Sequence, residues 1–353
     1  PVDVPAAPAG HGHAAARRAR PGRLARDRAL AFVPGSATVT RVPRPAAGPP
    51  VERVVLGTHD GPLACARADA VAAELRCAWD GLRVEVRVVP AEGGRSDVAG
   101  SETAAGTSVD ALRAALHAGR VDVAVHGFSE LPVAPAPGLA VGAVPMRGDP
   151  RDVLVTRTGK VLTYLPGGTR IAAGTPGRGA QLLRRRADLV VVPTTGDVRE
   201  RLERLGTGDY DALVLSAAAL DQVGLLDRVT EYFDTDQLIP APAQGALALE
   251  VRAGDADAAS LVAPLHDELS AYAVTAERTC LARLGARADV PIGIFAVTDG
   301  DRMFIHGIVG TPDGTRSARL RWTGPWRQAE EVGATLAELL LSAGGREILS
   351  GQS

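Results

Sequence analysis

The chain has 353 residues, of which 46% are hydrophobic, and a formal net charge of −2. A chain of this length usually forms two or three domains, each large enough to bury a core. The balanced charge predicts no nucleic-acid partner, because such partners need clustered positive charge. No apolar run reaches the roughly 20 residues that cross a bilayer, so we expect no contact with a membrane.

The cysteines are few and scattered along the chain, at Cys65, Cys77 and Cys280. Their spacing predicts neither a disulfide framework nor a metal site. The N-terminus lacks the uninterrupted apolar stretch of a signal peptide. We therefore expect a cytoplasmic protein without a bound metal, and we expect it to be a monomer.

Residues 1–50 are rich in Ala, Pro, Gly and Arg and show no sustained hydrophobic period. They offer too few apolar side chains to offset the entropy lost on ordering, so we predict a disordered extension. A basic arm that docks on a partner is the alternative interpretation of the same residues.

From residue 51 onward, short apolar strands alternate with helical stretches. Strands are predicted at 54–57, 84–90 and 122–125, and helices at 62–77 and 109–118. This alternation predicts an α/β fold with a mainly parallel sheet.

The alternation returns from 170 to 216, which predicts a second α/β unit that faces the first across a cleft. A long helix over 263–285, a hairpin over 292–310 and a final helix over 328–343 follow. These last elements predict a small third α/β domain.

Six short motifs follow one another in a characteristic order. They are Val121-Asp122-Val123-Ala124-Val125-His126 with Leu131-Pro132, Gly148-Asp149-Pro150-Arg151-Asp152, Gly174-Thr175 with Ala180-Gln181-Leu182, Gly208-Asp209-Tyr210-Asp211-Ala212, Pro240-Ala241-Pro242-Ala243-Gln244-Gly245-Ala246, and Thr275-Ala276-Glu277-Arg278 with Val290-Pro291-Ile292-Gly293. Each motif alone is weak, but the ordered set covers roughly residues 53–350. By these motifs the chain resembles the porphobilinogen deaminase (hydroxymethylbilane synthase) family.

The resemblance implies an α/β protein of three domains. Two lobes similar to those of periplasmic binding proteins, with mixed, mainly parallel sheets, would enclose a cleft, and a small α/β C-terminal domain would follow. The expected bounds are 51–146 with 246–263 for lobe 1, 150–240 for lobe 2 and 267–353 for the C-terminal domain. Enzymes of the family join four porphobilinogen units and release ammonia, using a dipyrromethane cofactor held by a cysteine thioether. A carboxylate manages protons and pyrrole cations, and several Arg and a Lys hold the acetate and propionate groups.

Several residues depart from the family pattern. Ala288 stands at the position of the cofactor cysteine, and an alanine cannot form a thioether. In the family motif His-Ser-Met-Lys-Asp-Val-Pro, the lysine is here Ser129 and the aspartate is Glu130. A carboxylate therefore persists at position 130, on a side chain that is one methylene longer. The neighbouring position 129 no longer carries a positive charge. Because of these departures from the family pattern, we expect no bound dipyrromethane cofactor.

The remaining departures also remove positive charge. His59 replaces an arginine of the first-strand motif, and Asp60 adds a negative charge beside it. The family's Gly-Thr-Ser-Ser-Leu-Arg-Arg loop is shortened to 174–179, which retains one arginine, Arg178. Thr195 stands where the family has another arginine. Since bidentate Arg–carboxylate pairs are poorly replaced by neutral groups, the cleft is expected to hold carboxylates weakly.

The candidate catalytic residues are Glu130, His59 and His126, because a histidine and a carboxylate that face one cleft can perform acid–base chemistry. For His126, packing at a strand end is the competing interpretation. The candidate binding residues are polar or glycine positions of the same motifs: Arg178, Thr175, Gly174, Ser129, Thr195, Asp60 and Gln244.

Three functions are compatible with these residues. The first is a divergent paralogue that binds or transforms a different small molecule in the inter-lobe cleft. The second is a genuine hydroxymethylbilane synthase of tetrapyrrole biosynthesis with unusual active-site residues, in which Cys280 is the nearest substitute for the missing cysteine. The third is a non-catalytic small-molecule-binding protein on the same scaffold. In all three, the expected partner is a small molecule in the cleft.

Overall fold

A computed structural model describes residues 48–90, 102–285 and 289–351, and within 102–107 only the backbone. The predicted extension, 1–50, lies outside the described residues except for its last three positions. Ala288 also lies outside them.

Strands and helices alternate along the described chain. The strands are β1 (Arg53–Thr58), β2 (Arg83–Val88), β3 (Val123–Gly127), β4 (Leu139–Ala143), β5 (Asp152–Thr156), β6 (Arg170–Ala173), β7 (Val190–Pro193), β8 (Ala212–Ser216), β9 (Glu231–Tyr232), β10 (Leu247–Arg252), β11 (Ile292–Asp299), β12 (Arg302–Gly310) and β13 (Ser317–Pro325). The helices are α1 (Pro62–Ala78), α2 (Glu102–His117), α3 (Pro176–Arg185), α4 (Val198–Thr207), α5 (Ala217–Gln222), α6 (Ala256–Val262), α7 (Glu268–Leu284), α8 (Ala329–Leu340) and α9 (Arg346–Leu349).

The first sheet has the strand order β2-β1-β3-β10-β4, and with α1, α2 and α6 it forms lobe 1. β1 pairs in parallel with β2 and β3, while β10 runs antiparallel to β3 and β4. All five residues of β3 are buried. Such continuous apolar runs are typical of strands covered on both faces. Here α1 and α6 cover one face and α2 covers the other.

The second sheet repeats this plan with the order β7-β6-β8-β5-β9, and with α3, α4 and α5 it forms lobe 2. β6 pairs in parallel with β7 and β8, and β5 is antiparallel to β8 and β9. Two apolar clusters, one beneath α4 and α5 and one beneath α3, cover opposite faces of the sheet.

The C-terminal domain is a three-stranded antiparallel sheet, β11-β12-β13, with α7 and α8 packed on one face. The predicted hairpin is confirmed, because β11 and β12 pair across a turn from Asp299 to Arg302. The three-domain α/β class with mixed sheets is confirmed as well, and each lobe's sheet contains two parallel and two antiparallel strand pairs. No helix in the described part of the chain combines the length and apolarity that crossing a bilayer requires.

Candidate functional site

Glu130 lies at the end of a 3-10 turn, Phe128–Glu130, that follows β3 directly. His59 follows β1, which is the parallel neighbour of β3. The carboxyl ends of parallel neighbours meet at one edge of a sheet, which is where α/β proteins place their ligands. His59 Nε2 accordingly lies 3.6 Å from Glu130 Oε2. Arg67 on α1 donates from Nη1 to Glu130 Oε1 at 2.5 Å.

The charges around Glu130 determine its protonation state. Burial of the carboxylate opposes ionisation, but the positive charge of Arg67 and the contact with His59 outweigh it and hold the pKa of Glu130 far below its usual range. The side chain remains 29% exposed. Glu130 is therefore a stable carboxylate at neutral pH and a very weak base.

The pKa of His59 is shifted in the opposite direction, upward. Burial lowers the pKa of His59, but the hydrogen bond and charge of Glu130 more than offset this and raise it. The geometry agrees, because Nδ1 lies 2.9 Å from the Asp60 carbonyl oxygen, which can only accept a hydrogen bond. Nδ1 therefore carries a proton, and Nε2 is attracted to the Glu130 carboxylate when it is protonated too. His59 is therefore the group of this cluster whose pKa lies above its usual value.

The His59–Glu130–Arg67 cluster should give the folded protein a characteristic pH dependence. The Glu130 contribution is complete above its unfolded pKa of about 4.3 and is lost as the pH falls through the depressed folded value. The His59 contribution is complete below its unfolded pKa of about 6.5 and is lost as the pH rises through the raised folded value. The stability difference between the wild type and Glu130→Gln should therefore be largest between about pH 4.5 and 6.5.

Urea unfolding of both proteins from pH 3.5 to 8.5 measures this difference. A difference that is constant across that range would contradict the assigned pKa directions.

His126 occupies the interior of lobe 1 and is 1% exposed. Its Nε2 lies 3.4 Å from Glu250 Oε2 on β10. Arg113 of α2 donates to both oxygens of Glu250 at 2.9–3.2 Å. Burial would raise the pKa of Glu250, but the contacts with His126 and Arg113 lower it. The structure thus places His126 in a buried charge cluster between sheet and helix, which favours the packing interpretation.

The candidate residues of lobe 2 gather at the start of α3. Thr175 caps this helix by accepting from the Arg178 backbone N–H at 3.4 Å. Arg178 donates from Nε to Asp152 Oδ1 at 2.9 Å and from Nη2 to Gln244 Oε1 at 3.0 Å. Gln244 also donates to Asp152 Oδ1 at 2.9 Å. Arg178 is therefore already paired with a carboxylate of its own lobe, and that carboxylate, Asp152, is buried.

Arg201, which sequence reasoning did not select, lies beside the Gly174 loop. A Cβ added at Gly174 would be 2.8 Å from Arg201 Nη1, so a side chain there would displace the guanidinium from its present position. Arg201 Nε donates to the Gly196 carbonyl at 2.8 Å. Among the described residues no carboxylate forms an ion pair with it, and burial together with nearby Arg178 lowers its pKa. Among the described residues, Arg201 is therefore a guanidinium without a carboxylate partner, and an anionic ligand could pair with it.

The other candidate positions make fewer contacts. Ser129 and Asp60 are exposed, and Thr195 is half-buried. The structure thus brings together two groups, His59 with Glu130 and Arg178 with Gln244. Arg67 was not predicted because it lies beyond the motif 58–64, yet it follows Leu63 by four residues and so lies on the same face of α1.

Comparison with known proteins identifies the scaffold. Residues 54–260 match the family model for the porphobilinogen deaminase dipyrromethane cofactor binding domain, and residues 271–342 match that for its C-terminal domain. The chain belongs to the porphobilinogen deaminase family.

Named relatives span nearly the whole described chain. The chain is 41% identical to porphobilinogen deaminase of Acidothermus cellulolyticus over 83% of its own length and 90% of the relative. For the protein of Thermus thermophilus the values are 39%, 84% and 98%, and for that of Roseiflexus castenholzii 38%, 84% and 99%. Among solved structures, a putative methionine-binding lipoprotein of Bacillus subtilis covers 62% of this chain, and 92% of its own, at 14% identity and a TM-score of 0.37.

Among the described residues of the C-terminal domain, none offers a reactive thiol for covalent attachment of the family's dipyrromethane. Position 288, where the porphobilinogen deaminase family has its cysteine, is an alanine and lies outside the described residues. Cys280, the nearest alternative, is fully buried in α7. Burial and the charge of Glu277 raise the pKa of its thiol to about 12, so hardly any thiolate forms at neutral pH.

The described residues also contain no group of three or more His, Cys, Asp or Glu side chains that could hold a metal ion.

Proposed function

We propose that this member of the porphobilinogen deaminase family binds, or chemically transforms, a small anionic molecule other than porphobilinogen in the cleft between lobes 1 and 2, without a dipyrromethane cofactor. The observation that carries this proposal is the pairing of Glu130. One of its oxygens accepts from Arg67 and the other faces His59.

A carboxylate paired in this way is poorly suited to the family reaction. Stabilising a pyrrole cation needs a carboxylate whose charge is available to the substrate, and managing protons needs one that can be protonated near neutral pH. The Glu130 charge is already compensated, and the depressed pKa makes it a weak base. We therefore assign proton transfer to His59, whose ring faces Glu130 and whose pKa Glu130 raises.

The cations of lobe 2 support a ligand with fewer carboxylates than a growing tetrapyrrole. Arg178 is engaged by Asp152, which leaves Arg201 as the arginine at the Gly174 loop that lacks a carboxylate among the described residues. One such guanidinium matches one carboxylate well through a bidentate pair. We therefore expect a small molecule with an acid group for Arg201 and a protonatable atom for His59.

A genuine hydroxymethylbilane synthase is the alternative, and the names of relatives at 38–41% identity favour it. The two functions differ in what the purified protein carries and makes. We expect the intact mass of the purified protein to equal that of the polypeptide. We also expect incubation with porphobilinogen, followed by oxidation, to give no uroporphyrin absorbance above the spontaneous background.

Two controls make this test decisive. The relative from Thermus thermophilus, assayed in parallel, verifies that the conditions support turnover. Ala288→Cys should not restore activity, because the carboxylate partners lost at Ser129 and Thr195 are still absent. A mass excess of two pyrroles, or porphyrin formed well above background, would overturn the proposal in favour of the synthase.

A further inference from the structure

Arg67 contacts both lobes with a single guanidinium group. It belongs to α1 of lobe 1, where Nη1 donates to Glu130 Oε1 at 2.5 Å. Its Nε donates to Gln222 Oε1 at 3.1 Å, and Gln222 is the last residue of α5 in lobe 2. The Arg67 side chain is 15% exposed, so both bonds are largely shielded from water. One planar cation therefore joins the candidate site of lobe 1 to a helix of lobe 2.

An apolar contact accompanies this bridge. Leu63, one helical turn before Arg67, packs against the apolar cluster of lobe 2 that includes Leu220 and is bordered by Val223. Residues four apart lie on the same face of a helix, so α1 presents Leu63 and Arg67 together to lobe 2. We call these two residues and Gln222 the latch. Separation of the lobes must break its apolar and its polar contact at once.

Gly127 provides the space that the Arg67–Glu130 pair occupies. A Cβ added at Gly127 would lie 2.5 Å from Arg67 Nη1 and 2.5 Å from Glu130 Oε1. The backbone there is ordinary, with φ −67° and ψ 125°, so the glycine serves space and not conformation, and a Cβ would push the ends of both side chains aside. The family motif has a serine at this position and a lysine at that of Ser129. In this chain Arg67 occupies the space beside Gly127 and supplies a positive charge to Glu130.

We infer that Arg67 is a positioning residue that couples closure of the two lobes to the placement of the Glu130 carboxylate. The inference rests on the proposed function only in taking Glu130 as a group that meets the ligand. With the lobes closed, Gln222 holds Nε and thereby fixes the plane of the guanidinium against Glu130. With the lobes apart, Nε turns to water and Arg67 regains its rotamer freedom, which weakens its hold on Glu130.

Two measurements on the ligand-free full-length protein test this coupling. The first is a ¹³C NMR titration of glutamate-labelled protein, in which Glu130→Gln identifies the Glu130 carboxyl resonance. The second is amide hydrogen exchange, read in the peptides that cover 62–67 and 217–222. Among the residues that the structure describes, the charged groups that face Glu130 are Arg67 from α1 and His59 from the loop after β1, so the titration reports on both.

Gln222→Ala removes the lobe 2 half of the latch and leaves Arg67 and Glu130 in place. We expect exchange in both peptides to become about tenfold faster or more, which corresponds to losing one hydrogen bond to a charged group. We also expect the Glu130 titration to move to higher pH. Arg67→Gln and Gly127→Ser should move it further, because each removes the cation from the carboxylate.

Arg67→Lys guards against variants that fail to fold. It keeps a positive charge but lacks the second donor of the fork, so exchange should be fast and the titration should lie between those of the wild type and Arg67→Gln. Arg76→Gln is the matched control, since Arg76 is an exposed arginine of the same helix whose Nη2 donates to the Val84 carbonyl. It should change neither measurement.

The inference is overturned if Gln222→Ala speeds exchange while the Glu130 titration stays unchanged, because the latch would then be structural only. It is also overturned if Gln222→Ala alters neither measurement, or if Arg67→Gln leaves the titration in place. A cofactor or porphobilinogen turnover found in the purified protein would contradict the proposed function but would not alter these results.

Discussion

Replacing Arg147 with methionine is expected to destabilise the folded protein by about 3–5 kcal/mol, the cost of leaving a buried charge without its partner. The partner is Glu277 of α7, which is 0% exposed. Arg147 donates to both of its oxygens, from Nη1 at 2.6 Å and from Nη2 at 3.1 Å. The carboxylate also accepts from the backbone N–H groups of Ala243 and Ala296 at 2.6 and 2.7 Å.

The large effect follows from where Glu277 lies. Arg147 belongs to the connection between β4 and β5, and Ala243 to the connection between β9 and β10. Both connections run between the lobes, and Ala296 lies on β11 of the C-terminal domain. One carboxylate therefore fastens both inter-lobe connections to the third domain, and methionine offers no charge and no donor in place of the guanidinium.

Urea unfolding at pH 7 measures the loss, with Arg204→Met as the control. Arg204 pairs with Asp209 at 3.0 Å, but both side chains are more than two-fifths exposed. An exposed pair of this kind contributes about 0–1 kcal/mol. Equal losses for Arg147→Met and Arg204→Met would show that burial of Glu277 does not determine the effect.

Gly333→Ala is expected to produce the second large loss, at least about 1–3 kcal/mol, by overpacking the interface between α7 and α8. A Cβ added at Gly333 would lie 2.1 Å from the Ala276 carbonyl oxygen. Backbone atoms of α7 cannot move aside as a flexible side chain can, so the two helices must separate. The intrinsic preference of helices for alanine over glycine works against this loss and is too small to cancel it.

Gly206→Ala provides the matched comparison, since Gly206 lies in α4 and an added Cβ would meet nothing within 4 Å. There the same substitution should leave stability unchanged or raise it by up to about 1 kcal/mol. In thermal and urea unfolding, Gly333→Ala should therefore lower the stability of the protein and Gly206→Ala should not. A neutral Gly333→Ala would mean that α8 packs less closely on α7 than described.

Both predictions concern α7, and this helix also reaches the candidate site. Arg278, next to Glu277, donates to the carbonyl oxygens of Leu131 and Pro132 and lies over the Phe128 ring at 4.8 Å. These residues flank the turn that carries Glu130. Damage to α7 should therefore reach the Glu130 carboxylate as well as the stability of the C-terminal domain.

The sequence by itself determined the family, the α/β class and the loop that carries Glu130. The alternation of strands and helices follows from local hydrophobic patterns, and the short motifs show which loop follows which strand. Both can therefore be predicted without knowledge of contacts between distant residues. Residues 317–325 were not predicted as a strand. They form β13 at the edge of the third sheet, where pairing with β12 stabilises a stretch of mixed polarity.

Only the tertiary structure decided which side chains share the site. Arg67 and Glu130 are 63 residues apart, and Arg178 and Gln244 are 66 apart. The motifs predicted a loss of positive charge at Ser129, but folding places a cation of α1, Arg67, against the neighbouring Glu130. The motifs also suggested His126 for the cleft, whereas β10 and α2 enclose it with Glu250 and Arg113. A residue type specifies what a group can do, but its pKa and its partner depend on charges that only the fold brings within a few ångströms.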